Sequence, residues 1–364
     1  MSLMKRLFAL ILTIFAFAVF AGCSANTDLP DVLKNPAAEA LPEQSNPAPE
    51  DDPSAPFNPL TGLKDGVSDG KVHRAPVSIM INNIEASLPQ YGISKADIIY
   101  EMLAEGNITR LLAVYQDPSK AGRIGSIRSA RPYFMDIAQG YSAVYLHFGG
   151  SVPAYAKIAK HQIVNLDGIQ STWDGTLYYR DSERKKTYSL EHTVFTTGER
   201  IEAALSSLKH DLTVADPKNA FNFSEEHSAL SGKSAGKIDI RYSKNTNPWF
   251  EYDEGTKTYL RFQFDEPHMD AEYNEQIRVK NVFVLQMKTA PVKNNSLHLI
   301  EIDTTGSGSG YYACEGKYIP ITWKKPKISS PISFYLDDGS ELKVAPGQTF
   351  VCCVPTSVDP TFEP

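Results

Sequence analysis

Cysteine is scarce in this chain: four in 364 residues, too few to build a disulfide scaffold of that size. Neither sign of charge dominates. With 36 basic against 43 acidic residues and a net charge of −7, the chain lacks the broad basic face that gathers phosphates, and no nucleic-acid partner is expected. It also lacks the Walker loop, H-E-x-x-H and C-x-x-C motifs, so no cofactor and no catalytic machinery of those kinds is implied. Gly308-Ser309-Gly310-Tyr311-Tyr312-Ala313 does satisfy the dinucleotide fingerprint, but it enters a strand where the chemistry needs a helix N-terminus. What is present suffices for real cores, since 42% of residues are hydrophobic and 10% aromatic. The length suggests about two domains.

The N-terminus reads as an export signal. Lys5 and Arg6 precede a 15-residue apolar run, Leu7 to Ala21, which is short for a membrane span but suits a signal-peptide core. It ends in Phe20-Ala21-Gly22-Cys23, which resembles a bacterial lipobox with Phe in place of the usual Leu. We therefore expect residues 1–22 to be a lipoprotein signal peptide and Cys23 to be the lipidation site, acylated with palmitate-type chains, and the protein to sit on the outer face of the cell membrane. Residues 24–59 hold eight prolines, seven acids and one lysine, a composition that cannot bury enough apolar surface to order itself. Residues 23–57 are accordingly read as a tether, able to reach roughly 100 Å when stiff.

From residue 58 the pattern changes. Pro76 to Ile81, Ala96 to Leu103, Ile108 to Tyr115, Ala143 to Phe148, Ile163 to Leu166 and His192 to Thr196 are rich in β-branched and aromatic residues and read as strands. Helical spacing links Phe134, Ile137, Ala138 and Tyr141; then Tyr155, Ile158 and Ala159; then Ile201, Ala204, Leu205 and Leu208, with Thr196 and Glu199 as a capping box. After Leu212 the helical period disappears and nine short strand candidates follow between Ile238 and Val354, separated by turns such as Asp337-Asp338-Gly339. The fold class is α+β: an N-terminal mixed-sheet α/β domain (58–215), a polar connector (216–236), an antiparallel all-β domain (237–356) and a short tail (357–364).

The segments "LPQYGISKADIIYEMLAEGNITRLLAVY", "RIGSIRSARPYF", "VYLHFGGS", "YYACEGKYIPITWKK" and "GQTFVCCVP" resemble the YerB-like bacterial lipoproteins, a two-part domain of unknown function. The resemblance covers about residues 58–356 and implies an envelope location, but it supplies no catalytic residues. Asn107 stands where a second Gly is usual, Ser126 where Pro is usual and Leu88 where Arg is usual.

The residues that could carry chemistry form two groups. Arg110, Arg123, Arg128 and Arg131 lie near Glu101, Glu105 and Asp136 in sequence. Arg128 and Arg131 flank Ser129, read as the cap of the first helix, where a cation is disfavoured and something anionic should compensate. Those acids could close the network, or an external carboxylate or phosphate could fill it. The second group is His147-Phe148-Gly149-Gly150-Ser151, a strand-to-helix turn of the kind that admits close ligand approach, with Arg180 and Asp181 in a following polar loop. His268 and Asp270 lack a third ligand, so no metal site is expected. Cys314 could pair with Cys352 or Cys353, or all three could be small buried hydrophobes. The expected function is ligand or partner binding in the cell envelope, the partner being an anionic envelope ligand or an envelope protein. The alternative is a hydrolase or transferase acting on wall polymers, with Glu101, Glu105, Asp136 or His147 as general acid or base.

Overall fold

The computed structural model describes residues 56–215 and 219–364. The signal segment, Cys23, the tether up to residue 55 and residues 216–218 of the connector lie outside the described residues.

One 11-stranded sheet organises the fold. Its strands are β1 (Val77–Asn83), β2 (Ile98–Leu103), β3 (Thr109–Tyr115), β4 (Val144–His147), β5 (Asn165–Asp167), β6 (Lys233–Ser234), β7 (Asn281–Met287), β8 (Gly306–Cys314), β9 (Lys317–Lys325), β10 (Ser333–Tyr335) and β11 (Thr349–Pro355). The order across the sheet is β6-β9-β8-β7-β11-β2-β3-β1-β4-β5, with β10 on β9. The N-terminal strands are mixed: β1 pairs antiparallel with β3 and parallel with β4, which runs parallel to β5. The C-terminal part is built on antiparallel pairs such as β7 with β8 and β8 with β9. A second, six-stranded sheet there includes Trp249–Asp253 and Thr258–Gln263.

Central strands are buried on both faces, which is why β1 to β3 read as nearly continuous apolar runs. The period of two still sorts their side chains. Ile79, Ile81, Leu111 and Ala113 enter one core with Phe250 and Tyr259 of the six-stranded sheet. Met80, Tyr100, Leu112 and Val114 enter the other, under Phe134 and Ile137 of helix α1 (Pro132–Gly140). Helices α2 (Val152–His161) and α3 (Gly198–Ser207) start at Ser151 and Thr197, whose hydroxyls accept from the amides of Ala154 and Arg200.

Several local expectations shift. The cap of α3 is Thr197, because Thr196 belongs to the preceding strand and its hydroxyl donates to Leu177 O at 2.8 Å. The cap of α1 is Arg131, not Ser129, because Pro132 fixes the first helical position two residues later. Beyond residues 216–218 the connector is woven in: Phe221 and Ala229 are buried, Asn222–Phe223 pairs with Lys343–Val344, and β6 pairs with β9. Its composition is polar, yet Phe221 and Ala229 are core, while Leu230 is exposed. Cys314, Cys352 and Cys353 are free and buried, and burial pushes the Cys314 thiol up to about 12. The Gly308–Ala313 run lies inside β8, as its sequence setting implied.

Candidate functional site: an arginine cleft

The carboxyl ends of β4 and the parallel β5 open onto the Phe148–Ser151 turn. Gly149 has φ +79, a left-handed conformation that glycine adopts freely. Its N–H donates to Asp167 at 2.9 Å, and Asp167 also accepts from the amides of Ile169 and Gln170 and from Tyr155. Burial pushes the Asp167 carboxyl upward, but the Ile169 and Gly149 amides outweigh it and hold the group below its ordinary range. The Arg128–Arg131 segment docks on this turn. Phe148 N donates to Arg128 O, Ala130 N to Gly149 O and Ser151 N to Ala130 O, at 2.9 to 3.3 Å.

This docking brings Arg110, Arg128, Arg131 and Arg180 around a cleft of about 520 Å³, floored by Ser129, Gly149 and Gly150. Arg110, on β3, is buried and donates to Ser129 O at 2.7 Å and to Glu105 at 2.6 Å. Arg131 forks onto both carboxylate oxygens of Glu105. Arg128 pairs with Glu191 at 2.9 Å. Arg180 donates to Leu190 O at 2.6 Å and lies over the Phe148 ring, and among the described residues no carboxylate pairs with it. Four guanidinium groups thus face two carboxylates, Glu105 and Glu191. The buried Nε atoms of Arg110 and Arg128 have no hydrogen-bond acceptor. Burial, with Arg131 as the next influence, brings Arg110 down to about 10. Burial raises Glu105, but the hydrogen bond from Arg131 and the charge of Arg110 hold it below the usual carboxylate range.

Other candidates lie elsewhere. Arg123 enters a three-stranded sheet through its pairing with Thr197, so it meets Glu272 at 2.7 Å and Asp181 at 3.7 Å instead of the cleft. Asp181 accepts from Arg184 N there. Asp136, one turn into α1, is held by Lys157 at 2.6 Å and by Thr304. His147 is buried, its ring nitrogens facing Gly149 O and Asn165 Oδ1, so neither is open to a substrate. Glu101 is wholly buried and ion-paired with Arg261 at 2.7 Å, with further bonds from Asn83 and Thr109. His268 and Asp270 also diverge. His268 bonds Arg261 and Gln90, whereas Asp270 caps the amides of Gly92 and Ser94. Of the acids expected to compensate the arginines, only Glu105 does so. Glu191 and Asp167 went unnoticed; Asp167-Gly168 after a strand was the one available signal for the latter.

Residues 60–211 match the N-terminal domain, and residues 238–351 the C-terminal domain, of the protein of unknown function DUF3048. The chain belongs to the DUF3048 family. Among DUF3048 relatives, YerB of Bacillus subtilis (strain 168), named as a lipoprotein, is 27% identical over 354 residues, 97% of this chain and 96% of that one. The crystal structure of the YerB protein from Bacillus subtilis superposes with a TM-score of 0.72 at 26% identity, covering 84% of this chain and 99% of that one. The lipoprotein likeness points to membrane anchoring. Among the described residues of this DUF3048 chain, no helix is long and apolar enough to cross a membrane.

Proposed function

We propose that this chain is a lipid-anchored lipoprotein of the outer face of the cell membrane that holds an anionic envelope ligand in the arginine cleft, as a binding or scaffolding component. The observation that carries the reading is the charge imbalance of the cleft. Four guanidinium groups meet two carboxylates, and two buried Nε donors lack acceptors. Like charges gathered at low dielectric repel unless an anion joins them, and arginine forks suit carboxylate and phosphate alike. Clefts of this size also suit small-molecule groups. Catalysis gains no support, because each candidate acid is engaged by a cation and His147 is closed to solvent. The tether and Cys23 give the protein reach from the membrane.

The test is a thermal-shift screen of residues 24–364 against phosphate, sulfate, muropeptides and anionic wall polymers. At least one anion should raise the melting temperature. Arg180→Ala should remove that rise while leaving the unliganded melting temperature nearly unchanged, because Arg180 strands no carboxylate when truncated. An absence of anion-dependent stabilisation would leave the cleft as internal structure. Anchoring is tested separately: Cys23→Ala should release the protein from the membrane fraction or leave an unprocessed precursor, and unchanged lipid-probe labelling would refute Cys23 as the attachment site.

A further inference from the structure

A second cavity of about 380 Å³ adjoins the arginine cleft. Arg131 lines both, and Ser151 of the second follows directly on Gly150 of the first. Its walls come from the two halves of the sequence: Pro132 and Pro153 at the starts of α1 and α2, and Val292, Leu299, Ile300 and Ile302 from the hairpin that pairs Thr289–Pro291 with Ile300–Ile302. Of its charged side chains, Glu301 and Asp303 are exposed, Asp303 lying 3.6 Å from Lys288. Asp136 is satisfied by Lys157 at 2.6 and 2.7 Å and by Thr304 at 2.9 Å. The two cavities therefore differ in kind, one with unspent cationic donors and one with apolar wall. Two large apolar side chains stand exposed beside them. Val152, beside Ser151 and Pro153, is 82% exposed, and Ile169, which lines the arginine cleft, is 58% exposed.

We infer that the anion received by the cleft is the headgroup of an amphiphile whose aliphatic part lies in the second cavity. This rests on the anion-binding reading above and adds the class of ligand. A single phosphate or carboxylate head would meet Arg128 and Arg180, and the chain would pass Arg131, whose guanidinium is already held by Glu105. Burying methylenes against Leu299 and Ile300 then adds affinity that a headgroup alone lacks.

The experiment compares inorganic phosphate with n-dodecyl phosphate below its micelle threshold, by calorimetry on residues 24–364. That span contains all the described residues, 56–215 and 219–364. Dodecyl phosphate should bind at least about tenfold tighter than phosphate. Ile300→Glu, and Val292→Glu as a second variant at a partly exposed position, should each bring the dodecyl ester to within about threefold of phosphate without changing phosphate binding. Arg180→Ala should weaken both probes. Equal affinity for the two probes would overturn the amphiphile and leave the anion site standing. Binding of neither would remove both. Tight dodecyl phosphate binding that ignores Arg180→Ala and both glutamate variants would place the alkyl chain elsewhere and overturn the inference.

Discussion

The buried Arg261–Glu101 pair is held in a ring of hydrogen bonds, although the Nε of Arg261 has no acceptor. Arg261 and Glu101 are both inaccessible to solvent and 2.7 Å apart. An arginine cannot accept, so the Nδ1 of His268 must accept from Arg261, which leaves Nε2–H to donate to Gln90 Oε1. Gln90 in turn donates to Asn83 Oδ1, and Asn83 donates to Glu101, closing the ring. Burial, with the Arg261 charge second, holds His268 well below the usual histidine range. Removing one charge strands the other. Glu101→Gln should therefore destabilise by about 3–5 kcal/mol in urea denaturation, and adding Arg261→Met should recover part of that loss. Asp97 shows the opposite imbalance. Burial pushes it up to about 7 despite hydrogen bonds from Gln116 N and Asn58. The folded state thus binds its proton more tightly than the unfolded chain, so this group's contribution to stability is greatest below about 3.8 and is lost as pH rises toward 7. Measured against Asp97→Asn, which does not titrate, the parent should lose stability on the order of a few kcal/mol between pH 4 and 7.5. A constant difference would show that Asp97 stays ionised.

At the scale of elements, short helices depend on their first residues and on what the preceding strand delivers. Helix α3 has ten residues and is too short to persist alone, so its cap and its packing matter together. Thr197 supplies the cap while Ile201, Ala204 and Leu205 face the core. Thr197→Ala should cost about 1 kcal/mol in chemical denaturation, with no effect on anion-dependent stabilisation because α3 contributes nothing to the cleft. Thr196→Ala should act through a different loss, the bond to Leu177 O, and so is not a substitute for that test. The Arg128–Arg131 segment is governed less by its own propensity than by the turn it docks on. Three backbone hydrogen bonds to residues 148–151 fix it, and these set where Arg128 and Arg131 stand.

For the whole molecule, the decisive strand is β11. It is the last strand of the large sheet in sequence and runs parallel between β2 of the N-terminal half and β7 of the C-terminal half. Side chains cross the same junction: Tyr242 OH donates to Glu101 O, and Gln348 donates to Ser94 O and Ala96 O. Residues 58–215 alone would present β2 as an unpaired, apolar edge, a template for aggregation. That fragment should be insoluble or lack cooperative unfolding. The intact chain should unfold in one transition by both fluorescence and circular dichroism, and cleavage at 216–218 should leave the halves associated until denatured. Two well-separated transitions would contradict the shared-sheet argument.

Composition and periodicity by themselves determined the α+β class, the positions of the main strands and helices, and the change from mixed to antiparallel pairing. These follow from local patterns of two and 3.6 residues that each segment carries within itself. The resemblance carried by the Arg128–Phe134 block pointed to the family. Sequence also singled out Arg110, Arg123, Arg128 and Arg131 as one group and the His147–Ser151 turn with Arg180 and Asp181 as another, because a strand-to-helix turn and an arginine-rich loop are both local signals; that parts of the two share one cleft while Arg123 and Asp181 meet elsewhere was decided by the fold. Tertiary structure alone decided partners. Which acid meets which arginine depends on long-range strand order, so Glu101 went to Arg261, Arg123 to Glu272 and Arg128 to the unforeseen Glu191. The continuity of the sheet was likewise invisible, since the contact that creates it joins residues near 100 to residues near 350. No window of sequence contains a hydrogen bond of that span, and only the folded backbone, which must pair its buried strand edges, brings the two together.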